Sequence, residues 1–285
     1  MRRASTIQKE TEQITTIEDL TDVFESIAST KIAKIKTKVE LSKEFFRLLW
    51  QRYSSIRFDD KQITNRSEDV TNGRKAFVII SAESGLSGDI DLRLVETMLQ
   101  SYDKTTTDIV VLGSHGAQQL KQRGVPFIRY FQVPESDAYI DVSPVIKAVA
   151  AYSAITVYYE EYVSLGVQDI KTIDLVANMR ALSAGADADE DVMTVRDTIF
   201  EPSLDEIADE MELTMMTLVL SQTILESSLA QDASRFNAMA VAKKRATELV
   251  SSYLLEYHRA KRSESDRRLR EVMVSLKKKK RTRVR

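Results

Sequence analysis

The chain has 285 residues, 43% of them hydrophobic, and a formal net charge of −2, which provides for one core of about 130 residues plus helical arms and argues against a dedicated nucleic-acid binder. It contains no cysteine, which excludes disulfides and thiol chemistry. It has no uninterrupted apolar run near 18 residues, which predicts no transmembrane helix.

All eight glycines and all four prolines lie between Gly73 and Pro202. These residues punctuate helices and turns, so their absence from both ends predicts two long helices flanking one compact domain. Met1-Arg2-Arg3 leads into polar sequence without a signal-peptide core. Residues 1–57 read as helix, with Ile17, Leu20, Phe24 and Ile27, then Ile32, Ile35, Val39, Phe46 and Leu49, as its apolar stripe. A polar stretch, 58–74, follows as a loop.

Residues 73–182 read as a central α/β domain. Ala76–Ile80 and Asp108–Leu112 are short β-branched apolar runs, expected to be buried strands. Gly85 and Gly88 turn the chain into a helix over Ile90–Tyr102. Ser114 is expected to cap a helix that Gly124 ends. Pro126–Val133 is a third strand, Ser143-Pro144 opens a helix through Ala151, and 155–162 and 170–176 are strands four and five. Strands alternating with helices predict a largely parallel sheet with helices on its faces. Residues 183–202 are an acidic loop, 203–276 a second long helix, and 277–285 a basic tail.

In the last helix Leu204, Ile207, Met211, Met215, Leu218, Leu225 and Leu229 step by threes and fours or their multiples. Phe236, Leu249, Tyr253 and Tyr257 are expected to face the N-terminal helix. The stripe is narrow, as in a coiled coil. A helix of about 80 residues reaches roughly 120 Å and needs a partner for its stripe. The N-terminal helix is the expected partner, antiparallel because the domain between them returns the chain. From Ala184 to Glu212 the charge is acidic with Arg196 the only base, and from Tyr257 onward it is basic, so the two ends of this helix face different partners.

Enzymatic constellations are absent. The loop Ser81–Asp89 occupies the place where a doubly wound sheet cradles phosphate. Its Gly-x-x-Gly spacing is neither the dinucleotide fingerprint nor a P-loop, so a structural turn is the favoured reading. His115 and His258 stand on separate segments, and neither has the companions of a zinc site. The acidic residues 187–191 lack calcium-loop spacing and read as a solvated loop. No cofactor is expected. The basic tip leaves open an adaptor that binds nucleic acid or an anionic membrane.

Six stretches, in order, resemble the gamma subunit of F-type ATP synthase: Leu20–Ile32, Ile80–Gly88, Val111–Gly116, Phe200-Glu201-Pro202, Ala233–Met239 and Tyr257–Arg262. The chain carries Ser87 where that family has a cysteine, Phe24 where it has a methionine, and Lys261-Arg262 where it has an arginine-glutamine pair. The resemblance implies an antiparallel coiled coil of the terminal helices around a Rossmann-like, mostly parallel five-stranded domain. It also implies a non-catalytic central-stalk rotor that couples proton flow to ATP synthesis or hydrolysis. Implied partners are the alpha and beta subunits, the epsilon subunit on the central domain, and the membrane c-ring. Lys261 and Arg262 would pair with a beta-subunit loop, Phe24 would be an interaction residue in the place of the family's methionine, and Phe200 and Glu201 would meet the ring. The implied location is the cytoplasmic face of a bacterial membrane, peripheral and without insertion.

Overall fold

The computed structural model describes residues 2–55, 73–133, 141–175 and 204–282. The acidic loop, the polar stretch 56–72, Val176, Phe200 and Glu201 lie outside the described residues. The two long helices are α1, Ala4–Ser55, and α5, Leu204–Thr282. The chain forms two compact units, Met1–Ile27 with Asn237–Arg285, and Ala28–Phe236.

In the first unit α1 and α5 run antiparallel. The Ala4 N–H donates to Glu264, the Thr247 hydroxyl to Glu18, and Lys243 pairs with Asp22 and Glu25. As the α1 number rises from 4 to 18 to 22, its partner's falls from 264 to 247 to 243. On α5, Met239, Ala242, Ala246, Val250, Tyr253, Tyr257 and Ala260 are buried or half-buried at three- and four-residue steps. On α1, Ala4, Ile7, Thr11, Ile14, Glu18, Thr21 and Glu25 keep the same spacing. Both series have the periodicity of a coiled-coil seam.

This seam is not the stripe expected from the sequence. Ile17, Leu20, Phe24 and Ile27 are 53%, 51%, 37% and 45% exposed. Ile17, Leu20 and Phe24 each precede a seam position by one residue, a rotation of about 100° around the helix. The spacing was read correctly and the face was not. Lys243 and Thr247 on α5 draw Glu18, Asp22 and Glu25 toward the seam side, and the apolar stripe turns outward. Leu249 is corrected in the same way: it is 48% exposed, while Ala246 beside it is 4% exposed.

In the second unit, a five-stranded sheet is built from β1 (Lys75–Ile80), β2 (Thr107–Leu112), β3 (Arg129–Phe131), β4 (Ala154–Ser164) and β5 (Val167–Asp174). The order is β3-β2-β1-β4-β5, parallel except for the antiparallel β4–β5 hairpin. One face is covered by α2 (Ile90–Ser101) and α3 (Ser114–Gln122), through Leu94, Val95, Met98, Ala117 and Leu120. The other is covered by α4 (Ser143–Val149) and by Met216, Leu220 and Ile224 of α5. Both faces of β1 and β2 are therefore buried, which is why they read as continuous apolar runs.

Three expectations shift. The third strand shrinks to Arg129–Phe131: Pro126 has no N–H for a ladder, and Val125 and Phe127 pack against the α2–α3 cluster. The buried side of α5 takes in Met216, Leu220 and Ile224 as well as Met215 and Leu229 of the expected series, because the helix lies in a sheet-side groove here and is covered on more than one side. An 18-residue window within Leu213–Leu276 is also long and apolar enough to cross a membrane by length and composition. Serines and threonines interrupt it, so no continuous run was visible. Among its apolar residues, Met216, Leu220 and Ile224 belong to the domain core.

The seam assignment is testable by denaturation of the purified chain. Leu249→Ala is expected to change stability by less than about 0.5 kcal/mol. Ala246→Leu is expected to cost about 1–3 kcal/mol through overpacking.

Candidate functional site

In a doubly wound sheet, ligands settle beyond the carboxyl ends of the strands where the order reverses. Here that point lies between β1 and β4, and the surrounding residues come from the β1–α2 loop, the start of α3, and α5.

The loop is pinned first by Ser81. Its hydroxyl donates to the Leu112 carbonyl at 2.9 Å and accepts from the Gly116 N–H at 2.9 Å. A Cβ at Gly113, where φ is +94°, would stand 2.1 Å from the Ser81 carbonyl oxygen, and one at Gly116 would stand 2.5 Å from the Ser81 hydroxyl. Any larger residue at either position would push the loop off β2. The buried Asp91 then accepts from the Ala82 N–H and the Ser87 hydroxyl, both at 2.8 Å, with His115 Nδ1 3.3 Å away.

The phosphate position is filled from within. The Glu83 carboxylate accepts from the Ser114 N–H at 3.1 Å, the Tyr130 hydroxyl at 2.9 Å and the Val133 N–H at 3.4 Å. The N-terminus of α3, a ready anion site, is thus capped by this chain's own carboxylate. That also corrects the expected cap: the Ser114 hydroxyl instead donates to the Glu83 carbonyl at 2.7 Å. Burial, reinforced by Glu83, raises the Tyr130 phenol above its ordinary value.

The crevice itself is occupied by α5. The Ser227 hydroxyl lies 3.3 Å from the Ile80 carbonyl and 3.0 Å from Glu160 Oε2, and the Gln231 amide donates to it at 3.1 Å. One turn further, Ser234 donates to the Ser87 carbonyl at 2.6 Å. Arg235 donates to the Gly85 and Ser84 carbonyls at 3.1 and 3.0 Å and pairs with buried Asp232. Burial raises the Asp232 carboxyl, while Arg235 and then Lys31 pull it back. Bonds from a charged donor contribute roughly 1.5–3 kcal/mol each, so Arg235 is the strongest tie between α5 and the loop. The site is chemically a socket for a helix, not for a substrate. Among the described residues no group of three or more His, Cys, Asp or Glu side chains could hold a metal ion.

The residues expected from resemblance lie elsewhere. Phe24 is partly exposed on α1. Lys261 and Arg262 are exposed on α5, with the Lys261 ammonium 5.5 Å from the Tyr257 ring centroid. In the antiparallel register Lys261 stands level with the first turn of α1, about 18 residues or roughly 27 Å along the pair from Phe24. They form two separate surface positions. Phe200 and Glu201 lie outside the described residues. Sequence reasoning missed Glu160, Ser227, Ser234 and Arg235 as a group; the available signal was the polar stretch Gln231-Asp232-Ala233-Ser234-Arg235 breaking an otherwise apolar helical face.

The family model described as ATP synthase matches residues 3–276. The ATP synthase gamma chain of Clostridium novyi is 23% identical over 94% of this chain and 95% of its own length. That of Alkaliphilus metalliredigens is 21% identical with the same coverage. Among solved structures, a chain of the Euglena gracilis mitochondrial ATP synthase in rotational state 3 aligns with a TM-score of 0.69 at 13% identity, covering 95% of this chain and 94% of that one. A chain from the central stalk and c-ring of the Tetrahymena thermophila mitochondrial ATP synthase aligns with a TM-score of 0.59 at 17% identity, covering 78% and 99%. With the match running through both long helices and the sheet between them, this chain belongs to the ATP synthase gamma-chain family and is a non-catalytic stalk subunit of that enzyme.

Proposed function

We propose that the chain is the central-stalk rotor that carries torque between an ion-driven membrane ring and the alpha/beta catalytic hexamer. The observation that carries this reading is the antiparallel helix pair, held in one register by Ala4–Glu264, Glu18–Thr247 and Asp22–Lys243, within a chain that matches the family from residue 3 to 276. A torque-bearing shaft must resist twist, and a packed two-helix seam supplies that resistance without any catalytic side chain. Its rotation biases which nucleotide site of the hexamer is open, a coupling by differential contact with alternative conformers.

The outward surfaces support the contacts that the resemblance implies. Ile17, Leu20, Phe24 and Ile27 form an exposed apolar stripe on α1, and Phe24 is its most shielded member. On α5, Leu269, Val272, Met273 and Leu276 are exposed beyond Glu264, the partner of the first residue of α1. They offer an apolar bearing for the hexamer. Lys261 and Arg262 are placed to pair with carboxylates of a beta-subunit loop. Phe200 and Glu201 meet the polar loops of the c-ring, and the epsilon subunit docks on the sheet domain. The complex is membrane-associated, and we assign this subunit to the cytoplasmic face of a bacterial membrane. The gamma chains of Clostridium novyi and Alkaliphilus metalliredigens, both bacterial, support that assignment. The adaptor reading, with nucleic acid or lipid at the basic tip, gives way to the family assignment.

Three measurements test this reading. Replacing Ala246 and Thr247 with glycine should leave ATP hydrolysis running while proton pumping in membrane vesicles falls; normal pumping would count against a load-bearing pair. Arg235→Ala leaves buried Asp232 without its partner and should cost about 3 kcal/mol in chemical denaturation. Glu201→Lys should reduce recovery of the c-ring with the purified hexamer, and unchanged co-purification would remove Glu201 from that contact.

A further inference from the structure

Glu160 takes no part in the contacts proposed above, yet its carboxyl is the most enclosed ionisable group of the crevice. The residue is 0% exposed. It lies two positions beyond Tyr158, the last β4 residue paired with β1, so it projects into the space where β1 has ended and α5 passes.

Counting protons decides its state. The Ser227 hydroxyl contacts three groups: the Ile80 carbonyl at 3.3 Å, Glu160 Oε2 at 3.0 Å and the Gln231 amide nitrogen at 3.1 Å. A hydroxyl has one proton to give and two lone pairs. The Gln231 amide only donates and the Ile80 carbonyl only accepts. With Glu160 ionised, its carboxylate and the Ile80 carbonyl compete for the single Ser227 proton. With Glu160 neutral, Glu160 donates to Ser227, Ser227 donates to Ile80, Gln231 donates to Ser227, and every contact is filled. The second oxygen, Oε1, is buried with no hydrogen-bond partner. A neutral carbonyl oxygen tolerates that at far lower cost than half of a carboxylate.

The neighbouring groups pull both ways, and burial sets the balance. From α2, Asp91 opposes ionisation and Arg93 favours it; from α5, Ser227 and Gln231 favour it; β1 presents the Ile80 carbonyl. His115 of α3 contacts Asp91. Burial first, and Asp91 second, hold the Glu160 carboxyl well above the usual carboxylate range.

We propose that Glu160 is a proton-bearing latch, a neutral carboxyl whose O–H completes the chain from β4 through Ser227 to β1 and makes the seating of α5 on the sheet edge depend on pH. Its folded value is raised, so the stability it contributes is full below the unfolded carboxyl value of about 4.3. That contribution declines as pH rises and is gone once pH passes the folded value. Alkalinity therefore loosens the seat.

Hydrogen exchange of residues 224–235 in the full-length chain, compared with Glu160→Gln at matched pH, reads this directly. The amide of the variant stays neutral throughout. Exchange in the wild type should rise relative to the variant, by up to about tenfold per pH unit until Glu160 ionises, and then level off. A ratio that does not change with pH overturns the latch. Should Glu160→Gln fail to fold, carbon-13 resonances of the labelled glutamate carboxyls give the answer in the wild type. One glutamate should titrate above the ordinary carboxylate range and be shifted by Ser227→Ala, whereas all glutamates titrating in the ordinary range would reject the assignment.

Discussion

The structure depends on Arg235. Its guanidinium reaches the Ser84 and Gly85 carbonyls and the Asp232 carboxylate at once, and so fixes the rotation of α5 about its own axis within the sheet domain. Apolar packing alone cannot do this, since Met216, Leu220 and Ile224 could slide or roll at modest cost. Directional, charge-assisted bonds to backbone carbonyls cannot roll. Ser234 beside it and Ser227, about two turns earlier, add further fixed points, so the helix is held at two heights along the crevice.

That seat also explains how a doubly wound sheet comes to do no chemistry. The fold supplies its usual ligand position at the β1–β4 switch point and usual anion position at a helix N-terminus. Both are taken by parts of the same chain: α5 fills the first and Glu83 fills the second. Asp91 satisfies the loop amide of Ala82 and the hydroxyl of Ser87. Polar groups that would read a substrate in an enzyme of this architecture instead hold a mechanical joint, and the family assignment to a non-catalytic stalk subunit has its physical counterpart in those occupied positions.

Much of this was legible in the sequence because the signals were local. Glycine- and proline-free ends announced long helices, and β-branched runs between turn residues located β1, β2 and β4. What was not legible depended on partners. The spacing of Ile17, Leu20, Phe24 and Ile27 identifies a helix face but not what covers it, and the seam lies one residue over because Lys243 and Thr247 of a distant segment hold Glu18, Asp22 and Glu25. The α3 cap was misread for a similar reason: Ser114 has the right chemistry for a cap, but Glu83, some thirty residues earlier, reaches the amide first. Arg235 and Ser234 were visible as a matched stretch, while their purpose required the loop carbonyls they meet.

The polar seam and the apolar exterior of the first unit are two sides of one constraint. A helix of this kind has enough strong apolar residues for one continuous stripe. If Ile17, Leu20, Phe24 and Ile27 faced α5, the pair would bind more tightly but would accept several registers, since aliphatic contacts discriminate poorly between one turn and the next. Charged and hydroxyl groups in a seam specify a single register at a cost in stability. Lys243 can satisfy Asp22 and Glu25 in only one alignment, and Thr247 meets Glu18 in that same alignment. Polar pairs along the edge of the seam thus fix the angular position of every outward residue, including Phe24. A shaft whose effect on its surroundings depends on which side faces which neighbour needs that definition more than it needs additional adhesion between its two strands.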